Sequence, residues 1–230
     1  MFYDGDYILL VLVPLILGLW AQTRVGSTYA KWSRVGSRSG MTGAEVAAAV
    51  MRSAGIDNVQ IVEIGGHLTD HYDAQNKRLA LSSENYRGTS LAALGVAAHE
   101  SGHAIQDKEH YAALEMRMSL VPVTNIASSI LPIVLFGGFF LQAVGLIYLA
   151  IAAYLILTIF QLVTMPVEFD ASRRALQRLQ GLGILTPEEM VGARDTLKAA
   201  AWTYVAAFIA ALGWLLHLLL IVNGGRRRSF

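Results

Sequence analysis

Apolar residues fall along this chain in long uncharged runs separated by mixed stretches, and the runs predict the architecture. Residues 7–20 are apolar and uncharged; with their flanks they make an anchor over 1–21, about the ~20 residues that a bilayer core needs. Asp4 and Asp6 precede this run, Arg24, Lys31, Arg34 and Arg38 follow it, and no small-x-small cleavage site appears. That pattern reads as a retained anchor with the following loop on the cytoplasmic side. Residues 118–165 contain no charged residue, a length that predicts two spans with a turn near Gly137-Gly138 or Gln142-Gly145. A fourth span is expected over 200–222, ended by Asn223-Gly224-Gly225, with the basic tail 223–230 beyond it.

The mixed stretches are punctuated like folded structure. Thr42 and Glu45 form a capping box ahead of an Ala-rich helix that Gly55 closes. Residues 59–64 and 78–82 are rich in β-formers and are joined through Gly65-Gly66 and an Asp/Asn-rich turn, which predicts a small sheet. A longer helix is expected over 90–106, and Thr186-Pro187-Glu188-Glu189 is a strong helix start. The expected fold is therefore a mainly α integral membrane protein. About four transmembrane helices carry a small α+β lobe, built from 22–117 and completed by 166–199.

Composition narrows the function. With 54% hydrophobic and 15% charged residues and a mean hydropathy of +0.47, the chain is too apolar for a soluble domain. It has no cysteine, so a disulfide scaffold, a thiolate metal site and a cysteine nucleophile are all excluded, and a transition-metal site must use His with Asp or Glu. The net charge of +1, with the basic residues dispersed, excludes nucleic acid as a partner. Ten Lys and Arg lie from Arg24 to Arg117 and five from Arg173 to Lys198, against three in Arg226, Arg227 and Arg228, which favours a cytoplasmic lobe. Four spans would leave that tail outside. A first segment lying along the membrane, or a re-entrant fourth, would reconcile the two.

The chemistry concentrates in His99-Glu100-Ser101-Gly102-His103. This is HExxH on a predicted helix, so the two imidazoles project from one face a turn apart and can grip one zinc ion. Glu100 is placed to take a proton from the attacking water and return it to a leaving amine. Small neighbours, Ala97, Ala98, Gly102 and Ala104, let another segment approach closely. Metzincin spacing is excluded, because Gln106 and Glu109 occupy the Gly and His places of the longer motif. His110 would lie roughly ~10 Å along the helix from His103, too far for a ligand. A further ligand must come from elsewhere: Glu168 leads, with Asp170 and Glu115 as competitors.

Other polar residues admit two readings. The cluster His67-Leu68-Thr69-Asp70-His71-Tyr72-Asp73 reads first as a polar turn; its sharper reading sets His67 or His71 near the metal, stabilising an oxyanion or orienting a ligand. Leu79, Ala80, Leu81 and Ser82 are expected to form a strand edge that binds substrate main chain by strand addition. Arg173 and Arg174 read first as solvated-face residues, with pairing to membrane phosphates, to acidic neighbours or to a substrate carboxylate as the alternatives, and His217, set among leucines, reads as a membrane-interface residue.

The stretches GGHLTDHYD, LALS and AAHESGHA, in the order anchor, HExxH helix, charge-free hairpin and downstream Glu, resemble the YugP-type bacterial membrane zinc metallopeptidases over nearly the whole chain. A more distant likeness is to HtpX-type and CAAX-prenyl-protease-type membrane peptidases. The resemblance implies His99, His103 and Glu168 as zinc ligands and Glu100 as catalytic base. It also implies an Asp four residues after Glu168 to orient a ligand histidine, where this chain has Ser172. Asp170, Asp107 and Asp70 are the candidates for that role.

These readings converge on a zinc endopeptidase of the bacterial inner membrane, with one zinc ion per chain and its site at the cytoplasmic membrane surface. Its partners are membrane lipid and a protein or peptide substrate; no feature specifies an oligomer. A membrane assembly factor with a structural zinc is the alternative, and Glu100 separates the two. A metal transporter is disfavoured, because the spans carry almost no charged residues or histidines to line an ion path.

Overall fold

The computed structural model describes residues 5–227; Asp4 of the anchor and Arg228 of the tail lie outside them. The chain is a mainly α membrane protein with a small α+β lobe. Among the described residues, four helices are long and apolar enough to cross a membrane: Gly5–Trp32, Ala112–Phe140, Val144–Gly181 and Met190–Gly224. They follow directly from the uncharged runs, since a span in lipid must satisfy every backbone group within itself. The first comprises α1 (Gly5–Tyr7), a π-helical turn (Ile8–Leu12) and α2 (Val13–Trp32).

The rest of the order is α3 (Gly43–Ser53), β1 (Gln60–Ile64), β2 (His71–Asp73), β3 (Arg78–Ser82), α4 (Ser83–Tyr86), α5 (Leu91–Lys108), α6 (Ala112–Phe140), α7 (Val144–Gly181) and α8 (Met190–Arg227). The chain divides into two compact units. One holds the described residues up to Gln22, Met116–Met165 and those from Thr203 on; the other holds Thr23–Glu115 and Pro166–Trp202.

In the first unit, the break between α6 and α7 falls at residues 141–143, with Gln142 at φ +50°, so the turn adopts the second of the two expected positions. Gly137 and Gly138 instead let the two helices close on each other: a Cβ on Gly137 would stand 2.7 Å from the Leu146 side chain. Val134, Ala150, Tyr154, Leu215 and Leu218 form its buried cluster. The helix α8 runs past Asn223-Gly224-Gly225 to Arg227, so those residues do not end it. Glycine weakens a helix by about 1 kcal/mol per residue but breaks none of its hydrogen bonds.

The second unit carries the sheet. Thr42 caps α3 with the full capping box to Glu45, and Gly55 follows it at φ +66°. The strand order is β1-β3-β2, with β1 parallel and β2 antiparallel to β3. This overturns the expected edge. β3 is the central strand, paired with β1 from Gln60↔Arg78 to Ile64↔Ser82 and with β2 from His71↔Ala80 to Asp73↔Arg78. Leu79 and Ala80 are buried with ladder partners on both sides, which closes that part of β3 to a substrate strand; Leu81 and Ser82 are buried and pair with β1 alone, and the Ser82 N–H donates to Asp70. Leu79 and Leu81 instead pack with Val46 and Val50 of α3, Leu94 and Ala98 of α5, and Leu179 of α7 in the core of this unit.

Candidate metal centre

The helix α5 is built to be buried, and that fixes the orientation of its motif. Ser90 caps it, its side chain accepting from the Ala93 N–H, and Leu91, Leu94, Ala97, Ala98 and Ile105 enter the core. Small residues let two other helices approach along their backbones. A Cβ on Gly95 would meet Ala193 of α8 at 3.3 Å, and one on Gly102 would lie 2.5 Å from the Ala171 carbonyl oxygen of α7. That close approach delivers α7, and with it Glu168, to the HExxH face.

His99, His103 and Glu168 lie together there, each offering one ligand atom, all within 4.8 Å of one another. Glu168 Oε2 is 3.2 Å from His99 Nε2 and 3.5 Å from His103 Nε2. A tetrahedral zinc site with bonds of ~2.0–2.1 Å spaces its ligand atoms by about 3.3 Å, close to both carboxylate–imidazole separations, so these residues could hold that ion. Two imidazole nitrogens and a carboxylate oxygen are also the donor set that a cysteine-free chain must use.

The outer nitrogens of both imidazoles are held. His99 Nδ1 is 3.1 Å from the Ser172 hydroxyl, so the serine occupies the place where the resemblance implied an Asp. His103 Nδ1 donates to Gln106 Oε1 at 3.0 Å. Gln106 Nε2 in turn donates to the Val167 carbonyl at 2.8 Å and to Asp170 Oδ2 at 3.0 Å. Glu100 is buried, and burial raises its carboxyl above the ordinary range. That direction suits a group that must exchange a proton near neutral pH.

The remaining candidates separate. Asp170 belongs to the surroundings of His103, reached through Gln106, and pairs with Arg173 and Arg174. Of the readings those arginines admit, pairing with an acidic neighbour is the one observed. Asp70 does not orient a ligand: its carboxylate accepts from the Ser82 N–H, the Ser82 hydroxyl and the Asn85 amide. Asp107 accepts from Tyr72 Oη and Lys77 Nζ, tying β2 to the end of α5. His67 is exposed and pairs with Glu84, and His71, on the outer strand β2, bonds the Thr69 carbonyl oxygen. The polar-turn reading of that cluster covers residues 67–70 only, since His71–Asp73 form β2. Glu115 pairs with His110.

Gln106 and Ser172 are the site residues that sequence reasoning passed over. Gln106 stands three residues after His103, on the same helical face, which is the available signal. Ser172 stands four after Glu168, and its hydroxyl can serve an imidazole where a carboxylate was expected.

The family described as "Putative neutral zinc metallopeptidase" matches residues 7–223. A curated relative from Bacillus subtilis (strain 168), "Putative membrane protease YugP", is 41% identical over 220 residues, covering 96% of this chain and 98% of that protein. No solved structure matches the chain. The chain belongs to this neutral zinc metallopeptidase family.

Proposed function

We propose that the protein is a zinc-dependent endopeptidase of the bacterial inner membrane, hydrolysing membrane proteins or peptides at the cytoplasmic membrane surface. The observation that carries this reading is the ligand group His99, His103 and Glu168 with a buried carboxyl, Glu100, next to it in the chain. His99 and His103 would hold one zinc ion through Nε2, and Glu168 through Oε2. Zinc in such a site supplies Lewis-acid polarisation of the scissile carbonyl and acidifies water towards ~7.

The chain's own residues do the rest. Glu100 accepts the proton of the attacking water and returns it to the leaving amine, and its raised proton affinity suits both transfers. Ser172 and Gln106 keep the two imidazoles turned to the same point. The relative's name and the four apolar helices support a substrate met at the bilayer. A purely structural zinc has no use for a buried carboxyl beside its ligands.

The test is cleavage of a membrane-protein or peptide panel by the full chain in proteoliposomes, wild type against Glu100→Gln. The amide fills the same volume and accepts no proton, so cleavage should fall by about 10²-fold or more, the contribution typical of a placed general base. Equal cleavage by both proteins would remove Glu100 from the mechanism.

A further inference from the structure

Resting on the zinc reading above, we infer that Gln106 is a positioning residue: it sets the tautomer and aim of His103, and the acidic-basic chain behind it holds Gln106 in turn. An imidazole can present Nε2 as a ligand only if its proton resides on Nδ1, and that requires an acceptor at Nδ1. An amide side chain is an ambiguous neighbour, because its oxygen and nitrogen can exchange places. Here the ambiguity is removed. Gln106 is fully buried, and its other end faces two groups that accept only, the Val167 carbonyl at 2.8 Å and the Asp170 carboxylate at 3.0 Å. Nε2 must therefore point at them, and Oε1 is left facing His103 Nδ1. The flipped amide would set its oxygen against two acceptors and its NH₂ against the histidine N–H.

The relay does not end at Asp170. That carboxylate is gripped by Arg173 and Arg174, and Arg174 reaches on to Glu109, one residue beyond the end of α5. Both ends of the chain of contacts are thus anchored, one on α7 and one beside α5. Ser172 gives His99 no such direction, since a hydroxyl can donate or accept. The two imidazoles are consequently held by unequal means, His103 by a relay ending in a carboxylate and His99 by a neutral rotor. Gln106 is the stronger determinant of metal affinity.

The test uses the full-length protein in nanodiscs. Zinc dissociation constants come from chelator competition, and ligand geometry from the visible absorption of the cobalt(II)-loaded protein. Gln106→Leu, of similar volume but without the amide, is expected to bind zinc about 10- to 100-fold more weakly and to shift the cobalt spectrum. Gln106→Glu sets two carboxylates face to face and should weaken binding likewise. Adding Asp170→Asn to Gln106→Glu restores a donor opposite an acceptor and should recover much of the loss, which also decides the matter if Gln106→Leu does not fold.

A role in packing alone predicts the opposite pattern: lower thermal stability of the metal-free variants, unchanged zinc affinity and an unchanged cobalt spectrum. If wild type binds zinc and the Gln106 variants match it within about twofold, the positioning role is overturned and the zinc reading stands. If wild type binds no zinc, both fall.

Discussion

Gly102 and Ala171 meet backbone to backbone: a Cβ on the glycine would lie 2.5 Å from the alanine carbonyl oxygen and 3.1 Å from its Cα. Gly102 sits inside the HExxH motif, and Ala171 is three residues beyond Glu168 on α7. The approach that this glycine permits is the approach that brings the carboxylate to the two histidines. Nothing on the α7 side is the yielding end of a long side chain, so the helices themselves must shift. Gly102→Ala is expected to cost about 1–3 kcal/mol of stability, the usual cost of overpacking. It should also weaken zinc binding, because Glu168 moves with α7. A thermal melt with and without zinc checks both.

Ser172→Ala removes the hydroxyl that meets His99 Nδ1 and leaves the rest of α7 unchanged. Zinc affinity should fall by about tenfold, the low end for a lost ligand-orienting contact. Ser172→Asp supplies a carboxylate acceptor and should bind at least as tightly as wild type. Chelator competition on the two variants tests the pair, and a drop in Ser172→Asp larger than in Ser172→Ala would contradict it.

Asp70 is a clamp rather than a participant. It accepts from the Ser82 N–H at 2.8 Å and from Asn85 Nδ2 at 2.8 Å, and Asn85 Oδ1 accepts from the Tyr29 hydroxyl at 2.7 Å. Asp70→Ala leaves buried donors without an acceptor, so a loss of about 1–3 kcal/mol is expected, with zinc stoichiometry unchanged. Denaturant unfolding together with metal analysis separates this outcome from a role at the metal.

Glu189 has one partner that a capping box alone would not give it. It accepts from the Thr186 N–H at 2.9 Å, as the box requires, and from the Arg38 N–H at 2.7 Å. It thereby ties the segment after α2 to the start of α8. Glu189→Gln keeps one acceptor oxygen, whereas Glu189→Ala loses both. The alanine variant should be less stable by about 1–3 kcal/mol and the glutamine variant by less than half of that, measured by thermal unfolding.

What the sequence disclosed and what it did not divide along a physical line. Local chemistry was legible: the capping boxes at Thr42 and Thr186, the helix carrying His99 and His103, and the uncharged runs that became spans. Glu168 is legible because two spans return the chain to the side of the HExxH helix, where it is the first carboxylate met. Pairing across space was not legible. β2 is only His71–Asp73 inside a polar stretch, with no apolar alternation to announce a strand, so β3 reads as an edge when β2 in fact covers its first three residues, Arg78, Leu79 and Ala80. Gln106 read as a failed metzincin glycine, and its partners Val167 and Asp170 stand some sixty residues away in the chain, at separations of 61 and 64. Gly224 and Gly225 read as a helix end, although glycine lowers helical stability without forbidding it.

The central claim is that Glu168 completes a zinc site with His99 and His103, and metal stoichiometry tests it most directly. Wild type, Glu100→Gln and Glu168→Ala, purified as full chains and dialysed against the same trace of zinc, are compared by metal analysis. The account predicts about one zinc per chain in wild type and in Glu100→Gln, and little or none in Glu168→Ala, whose site keeps only two ligands. Full occupancy in Glu168→Ala, with its affinity unchanged, would show that another group closes the site and would contradict the account.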